Sequence, residues 1–228
     1  WEKFLILQNN LDKEVLIKQS QHWENNFSSK PEMFGLDPSF AAINAIKIFK
    51  ENSIQRILEL GPGQGRDTLF FARNGFYIDA LDYSLSAIED IALKSKECNL
   101  EDSINAKVFD VRKKLPYEDE SFEGCFSHML YCMAFSIDEI EKMNKEVNRV
   151  LKKGGINILT VRNTSDGDYN NGEHIGEDLY ENQGFIVHFF SEDKVKRLLN
   201  GFELIDINRF NEGKFPRKLF KVTLKKKW

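Results

Sequence analysis

Three cysteines, five prolines and four histidines are all that the 228 residues hold of those types, and each scarcity removes a class of explanation. Cys98, Cys125 and Cys132 form no C-x-x-C pair and are odd in number, which argues against a disulfide-stapled secreted module. No His/Cys cluster has zinc-site spacing, so no metal is expected. Reduced thiols, buried as small hydrophobes in a cytoplasmic protein, are the expectation. No apolar run approaches the ~20 residues that span a bilayer, and the start, Trp1-Glu2-Lys3, lacks the charged-then-apolar pattern of a secretory signal. A basic excess is also missing. With 32 Lys+Arg against 36 Asp+Glu the net charge is -4, which offers no general attraction to nucleic acid. The locally basic stretch from Lys214 to Lys227 reads as a solvated strand face and chain end. Composition says nothing of oligomeric state.

What is present is a globular composition, 41% hydrophobic and 30% charged, of a length that suits one domain. From residue 54 to 158, short apolar runs alternate with helical patterns, the mark of βαβ units around a parallel sheet. Strands are expected at 55–60, 76–81, 104–109, 122–127 and 156–161. A helix at 67–73 ends at Gly75. The next opens at Ser84 or Ser86 with a capping box Ser86-x-x-Glu89, and another is capped by Ser136-x-x-Glu139 and closed by Lys153-Gly154-Gly155. Upstream, residues 5–49 read as largely helical, broken at 31–38, with Ser39 as an N-cap. Downstream, residues 162–183 are polar and too long for a simple connection, which suggests a lid-like loop. A helix capped at Ser191 and two alternating runs, 202–207 and 219–224, complete the chain as an antiparallel hairpin.

Glycine is concentrated where the first strand stops. Glu59-Leu60-Gly61-Pro62-Gly63-Gln64-Gly65-Arg66 places three alternating glycines directly after an apolar run, and residues without Cβ let a ligand approach the backbone. A dinucleotide fold would want G-x-G-x-x-G, with a small third residue and a pyrophosphate at the helix N-terminus. Here Arg66 stands at that third position, and Glu59 would set negative charge near the phosphates. A cofactor with a cation and no phosphate fits better than a nicotinamide. In an open α/β sheet the ligand lies outside the carboxyl ends of the strands. Those ends carry the glycine loop, Asp82, Asp110 with Val111, and Ser127 with His128. A carboxylate at Asp82 can accept both hydroxyls of a ribose.

Taken together, Glu59 to Gly65, Leu81-Asp82-Tyr83-Ser84, Phe109-Asp110-Val111, Ser121-Phe122-Glu123-Gly124 and Arg149-Val150-Leu151-Lys152-Lys153-Gly154-Gly155 resemble the successive motifs of the class I S-adenosylmethionine-dependent methyltransferases. The pattern is also loosely similar to the branch containing tellurite-resistance and related small-molecule methyltransferases. The resemblance implies a Rossmann-like, doubly wound, seven-stranded α/β sheet, mostly parallel with the last strand antiparallel and helices on both faces. It implies S-adenosylmethionine as cofactor, leaving S-adenosylhomocysteine. It places Glu59, Gly61, Pro62, Gly63 and Gly65 near the methionine part, Asp82 at the ribose, and Asp110 with Val111 at the adenine. Tyr83 adds an apolar wall, and Ser127 reaches the same crevice. Residues 1–228 then form one methyltransferase domain: a helical cover (1–50), the cofactor core (51–161), a lid-like segment (162–190) and a helix with a hairpin (191–228).

Transfer from a sulfonium is an in-line displacement at an activated carbon, so positioning can carry most of the catalysis. His128, Tyr131 and His174 are the candidates to accept or orient an acceptor proton. Each has an alternative: His128 as a strand-end hydrogen-bonding group, Tyr131 as packing, His174 as a solvated side chain. Trp23, Met33 and Phe34 are placed to cover the cofactor, although core packing suits Trp23 better. Residues 163–190 contain Asp166, Asp168, Glu173, Glu177, Asp178 and Glu181 and no Lys or Arg, so a lid made of them would favour a neutral or cationic small-molecule acceptor over an anion. A protein that binds the cofactor without transferring methyl groups, as a partner subunit, is the alternative from another class.

Overall fold

The computed structural model describes residues 13–213 and 217–227. The start of the expected helical cover and Lys214 lie outside the described residues. Five strands follow the βαβ pattern: β1 (Arg56–Leu60), β2 (Tyr77–Asp82), β3 (Ile104–Val108), β4 (Phe122–His128) and β5 (Leu151–Arg162). With β9 (Phe202–Glu212) and β10 (Arg217–Lys226) they form one seven-stranded sheet in the order β3-β2-β1-β4-β5-β10-β9. Strands β1 to β5 pair in parallel, and β10 enters antiparallel to both β5 and β9. The strand order reverses at β1/β4, where such folds open a ligand crevice.

Both faces of this sheet are covered, which is why its central strands are almost continuously buried rather than alternating. On one face Ile57, Ile78, Phe126 and Ile158 pack under α2 (Phe40–Glu51) and α3 (Arg66–Arg73), with Phe71 edge-on to Phe126 at 4.9 Å. On the other, Leu58, Leu81, Leu159 and Val222 meet α5 (Ile137–Val150) and α6 (Glu192–Arg197) through Met143, Val147 and Val195. Helix α4 (Leu85–Glu97) follows β2, and α1 (Lys13–Ser29) packs against α4 and the far side of the crevice.

Three local expectations change. Helix α4 is capped by Ser84, whose hydroxyl accepts from Ala87 N at 3.1 Å; Ser86 instead donates to Glu24 on α1. Lys153-Gly154-Gly155 does not close α5, because Leu151 already pairs with Phe122 and the register then slips so that Gly124 pairs with Ile156. These residues form a bulge inside β5, where a Cβ on Gly155 would meet Lys152 O at 2.8 Å and Glu123 O at 2.9 Å. The third change is the segment expected as a lid-like loop. It contains a small antiparallel sheet of β6 (Glu173–Gly176), β7 (Leu179–Asn182) and β8 (Phe185–His188). Each strand has four residues and its buried anchors are few, chiefly Leu179 and Ile186, too short a pattern to read as strand.

That small sheet is tied down by buried polar contacts. Buried His188 sits 2.8 Å from Phe135 O through Nδ1 and accepts Lys194 Nζ at 2.9 Å through Nε2; Lys194 also pairs with Asp178. Burial, reinforced by the neighbouring Lys194 charge, lowers the His188 imidazole to about 4. It is a structural group.

Candidate active site

The crevice at the carboxyl ends of β1, β2 and β4 opens into a cavity of about 570 Å³, within the range of cofactor and small-ligand sites. Its floor is the glycine loop. Gly61, Gly63 and Gly65 all have positive φ (67°, 53° and 83°), the region that favours glycine. Gly63 brings its bare backbone to the cavity, and a Cβ on Gly65 would meet Ile91 Cγ1 at 2.5 Å. Gly63 N donates to Asp82 Oδ2 at 3.1 Å and Ser84 N to Oδ1 at 3.0 Å. A carboxylate offers about four lone-pair sites, so each Asp82 oxygen keeps capacity for a further donor. Burial raises the Asp82 carboxyl to about 6 despite these two bonds. Tyr83, Phe109 and Val111 continue the wall on the Asp82 side.

Glu59, at the loop's other end, is 2% exposed and accepts from Thr68 Oγ1 at 2.6 Å. Burial first, then the nearby Asp67 charge, lifts its carboxyl to about 8. The side chains that follow the loop bind the N-terminal cover. Gln64 accepts from Met33 N at 2.8 Å and donates to Lys30 O and Asp90, while Asp67 accepts Ser39 N and Oγ at 2.7 and 2.8 Å. Arg66 donates to Phe34 O. Trp23, Phe27, Met33 and Phe34 are thereby held over the cavity.

Residues 57–155 match the family described as a methyltransferase domain. Over those residues the chain is similar to that family, and its fold is that of S-adenosylmethionine-dependent methyltransferases of known structure. Among curated relatives, phosphoethanolamine N-methyltransferase 1 of Triticum aestivum is 28% identical over 158 residues, covering 68% of this chain and 28% of that protein. This chain therefore spans little more than a quarter of the relative it matches. Among solved structures, a 1,6-didemethyltoxoflavin-N1-methyltransferase from Burkholderia thailandensis, with bound 1,6-didemethyltoxoflavin and S-adenosylhomocysteine, superposes with a TM-score of 0.76 at 18% identity, covering 96% of this chain and 92% of that one. TehB from Haemophilus influenzae gives a TM-score of 0.66 at 19% identity over 90% of this chain and 67% of that one. The Burkholderia neighbour holds S-adenosylhomocysteine, and the crevice of this chain has residues that fit S-adenosylmethionine: spare acceptor capacity at Asp82 for two ribose hydroxyls, an apolar wall for a base, and the buried carboxyl of Glu59 for a cation.

Of the site residues expected from the sequence, Glu59, Gly61, Pro62, Gly63, Asp82, Tyr83, Val111 and His128 line the cavity. Gly65 caps α3 behind the loop, and Ser127 is wholly buried beneath it. Asp110 also stands off the lining; it accepts the Nε of Arg112 at 2.9 Å and the Arg112 N–H. Tyr131 is 2% exposed within the core, and burial pushes its phenol far above the ordinary range, which removes it as a base. His174 is exposed on β6, stacked on Tyr180, with Nε2 3.0 Å from Glu177 O. Neither of these two lines the cavity.

His128 is constrained rather than free. Met129 N donates to Thr160 Oγ1 at 2.8 Å, so the threonine proton is available to His128 Nδ1, 2.9 Å away. Nε2 then carries its proton on the side of Glu212 Oε1, 3.3 Å away but off the line of a straight hydrogen bond. Glu212, from the end of β9, also takes Arg66 Nη2 at 2.7 Å. Burial would raise the Glu212 carboxyl, yet His128 and Arg66 outweigh it and bring it down to about 2. Glu212 and Arg217 line the cavity and escape the sequence reading, which ended that strand at Ile207. Applying the strand-end rule to the full length of β9 finds Glu212.

The acidic residues of 162–190 have other work. Asp166 and Asp168 pair with buried Arg162, Asp178 with Lys194, Glu177 accepts from Ile137 N and Glu181 from Gly184 N. None of the six lines the cavity.

Proposed function

We propose that this protein transfers the methyl group of S-adenosylmethionine to a small-molecule acceptor that is neutral or cationic overall. The observation that carries the reading is the covered crevice. The rim over the glycine loop is lined by Trp23, Phe27, Met33 and Phe34, so an acceptor reaches the methyl position by entering a cavity rather than by lying on an open platform. The relative named for phosphoethanolamine and the fold neighbour named for 1,6-didemethyltoxoflavin act on small molecules by their names. A cationic or neutral acceptor is favoured by ionised Glu212 on the cavity wall, in place of the distant lid acids.

Bound S-adenosylmethionine supplies a methyl carbon already activated by its sulfonium. Asp82 holds the ribose, and Gly61 and Gly63 bring backbone against the cofactor. Glu59 sits near its methionine part, with Val111 and Tyr83 at the base. The aromatic and methionine side chains of the N-terminal cover exclude water, which strengthens each polar contact inside. Positioning of this kind is worth roughly 7–11 kcal/mol in favourable intramolecular systems. The test is a labelled-methyl transfer screen over amine, thiol, hydroxyl and metalloid acceptors. Transfer to at least one is expected; tight cofactor binding with transfer to none would favour a binding-only partner protein.

A further inference from the structure

Two charged groups on the cavity wall are left incomplete by the protein itself. Glu212 Oε1 takes Arg66 and faces His128, but Glu212 Oε2 is buried with no hydrogen-bond partner. Arg217 lines the same cavity, and its guanidinium meets no carboxylate among the described residues. The two are direct cross-strand partners at the start of the β9–β10 ladder. Residues opposed in this way have Cβ atoms about 4.5–5.5 Å apart on one face of the sheet. Such a neighbouring pair would ordinarily close on itself as an ion pair. Here Arg66 draws the carboxylate away, and an anion acceptor and a cation stand side by side, each with bonding capacity unspent.

Their place in the sheet assigns them to the acceptor rather than to the cofactor. Asp82 ends β2, and β10 lies four strands further along the order β2-β1-β4-β5-β10. At about 4.8 Å per strand that is roughly 19 Å from the ribose position. The glycine loop after β1 and His128 after β4 fall between. A cofactor with its ribose on β2 and its methionine part over β1 reaches its methyl near β4, which leaves the β9–β10 end for the second substrate.

We propose that Glu212 and Arg217 form a clamp for a small zwitterionic acceptor, an amine carrying a carboxylate or phosphate a few bonds away. This deepens the methyl-transfer reading and rests on it. The amine nitrogen lies against Glu212 Oε2 and the anionic group against Arg217. Binding uses both charges of an overall near-neutral molecule, and each otherwise unmatched group gains its partner. For the reaction the bound ammonium first releases a proton to solvent, and the freed nitrogen lone pair then forms the new N–C bond while the C–S bond breaks and its electron pair stays on sulfur. The nitrogen becomes positively charged, and the fixed carboxylate of Glu212 stabilises that charge where it develops. A proton then leaves the nitrogen for solvent if it carries one. His128 and Arg66 are positioning residues, holding the carboxylate ionised and oriented.

The experiment uses the full chain with labelled S-adenosylmethionine and four acceptor sets: amino acids and aminoalkyl phosphates, matching alkylamines without the anion, matching acids without the amine, and phenols with thiols. Zwitterions should have the highest kcat/KM. Arg217→Gln should raise KM for the zwitterion at least tenfold, leave KM for the plain amine within twofold, and recover in Arg217→Lys. Glu212→Gln should lower kcat on zwitterion and plain amine alike. Calorimetric affinity for S-adenosylmethionine, measured on each variant, reports on site integrity and should stay within threefold for the Arg217 variants. Preferred turnover of phenols, thiols or plain amines overturns the clamp while leaving methyl transfer standing. So does an Arg217→Gln protein that loses cofactor affinity and not acceptor affinity, since that places the guanidinium on the cofactor. Transfer to no member of any set overturns the small-molecule reading, and the clamp with it.

Discussion

At the scale of single residues, three carboxylates that line one cavity are held in different states by their surroundings. Glu212, beside His128 and Arg66, is held near 2; Asp82, with backbone donors only, near 6; Glu59, with burial and the Asp67 charge against it, near 8. Ribose hydroxyls donate to the ionised form of Asp82, so cofactor affinity should be full above about pH 6 and fall as pH drops through that value, as calorimetry from pH 5 to 8 would show. Asp82→Ala should weaken S-adenosylmethionine binding at least about tenfold, a loss of ~1.4 kcal/mol. For Glu59 the folded value lies above the ordinary 4.5, so the folded state retains a proton that the unfolded chain has lost. Stability of the ligand-free protein therefore declines from about pH 4.5 to 8 on account of this group. Glu59→Gln removes that penalty. Its melting temperature at pH 8.5 should exceed that of the unmodified protein by a few degrees, about 1 kcal/mol or more, while its cofactor affinity falls. A lower melting temperature would count against the assignment of Glu59 as a buried neutral acid.

At the scale of elements, the cover over the cavity is held by side chains of the glycine loop and by one acid on α1. Glu24 accepts Ser84 Oγ at 2.6 Å and also Ser86 Oγ, which fixes α1 to the N-terminus of α4 next to Asp82. Glu24→Ala should speed amide exchange across residues 13–29 and weaken cofactor binding severalfold with little loss of global stability; unchanged exchange would detach α1 from the role. Asp166→Ala is expected to act differently. It leaves Arg162, only 7% exposed at its side chain, short of its closest partner, and should destabilise the fold by about 3 kcal/mol, read from denaturant melts. The same elements show what the sequence makes legible. Ser39 and the Ser136–Glu139 box were readable because a cap is a matter of three neighbouring residues. So were Asp82 and the glycines, which follow directly from where a strand stops. The bulge at 152–155 and the partner of Ser86 were not, because each is decided by a chain segment dozens of positions away; the β6–β8 sheet pairs locally, but its four-residue strands with few buried anchors are too short to show a pattern. The acidic residues of 162–190 misled because a count of charges does not reveal that Arg162 and Lys194 already claim three of them.

At the scale of the whole molecule, the sheet order separates two tasks along one crevice. Strands β1 and β2 carry the glycine loop and Asp82, with Val111 in the connection after β3; β9 and β10 carry Glu212 and Arg217; and His128 at the end of β4 stands between them. The hairpin that inserts β10 antiparallel is what brings a second set of strand ends to the cavity. No helix among the described residues is long and apolar enough to cross a membrane. The central claim is that this crevice is built for S-adenosylmethionine, and calorimetric titration of the purified chain tests it most directly. The account predicts one saturable site for S-adenosylmethionine and for S-adenosylhomocysteine, weakened at least tenfold by Asp82→Ala, with a nicotinamide dinucleotide binding more weakly than either. Tighter binding of the nicotinamide cofactor, or an affinity for S-adenosylmethionine that a folded Asp82→Ala protein retains in full, would contradict it.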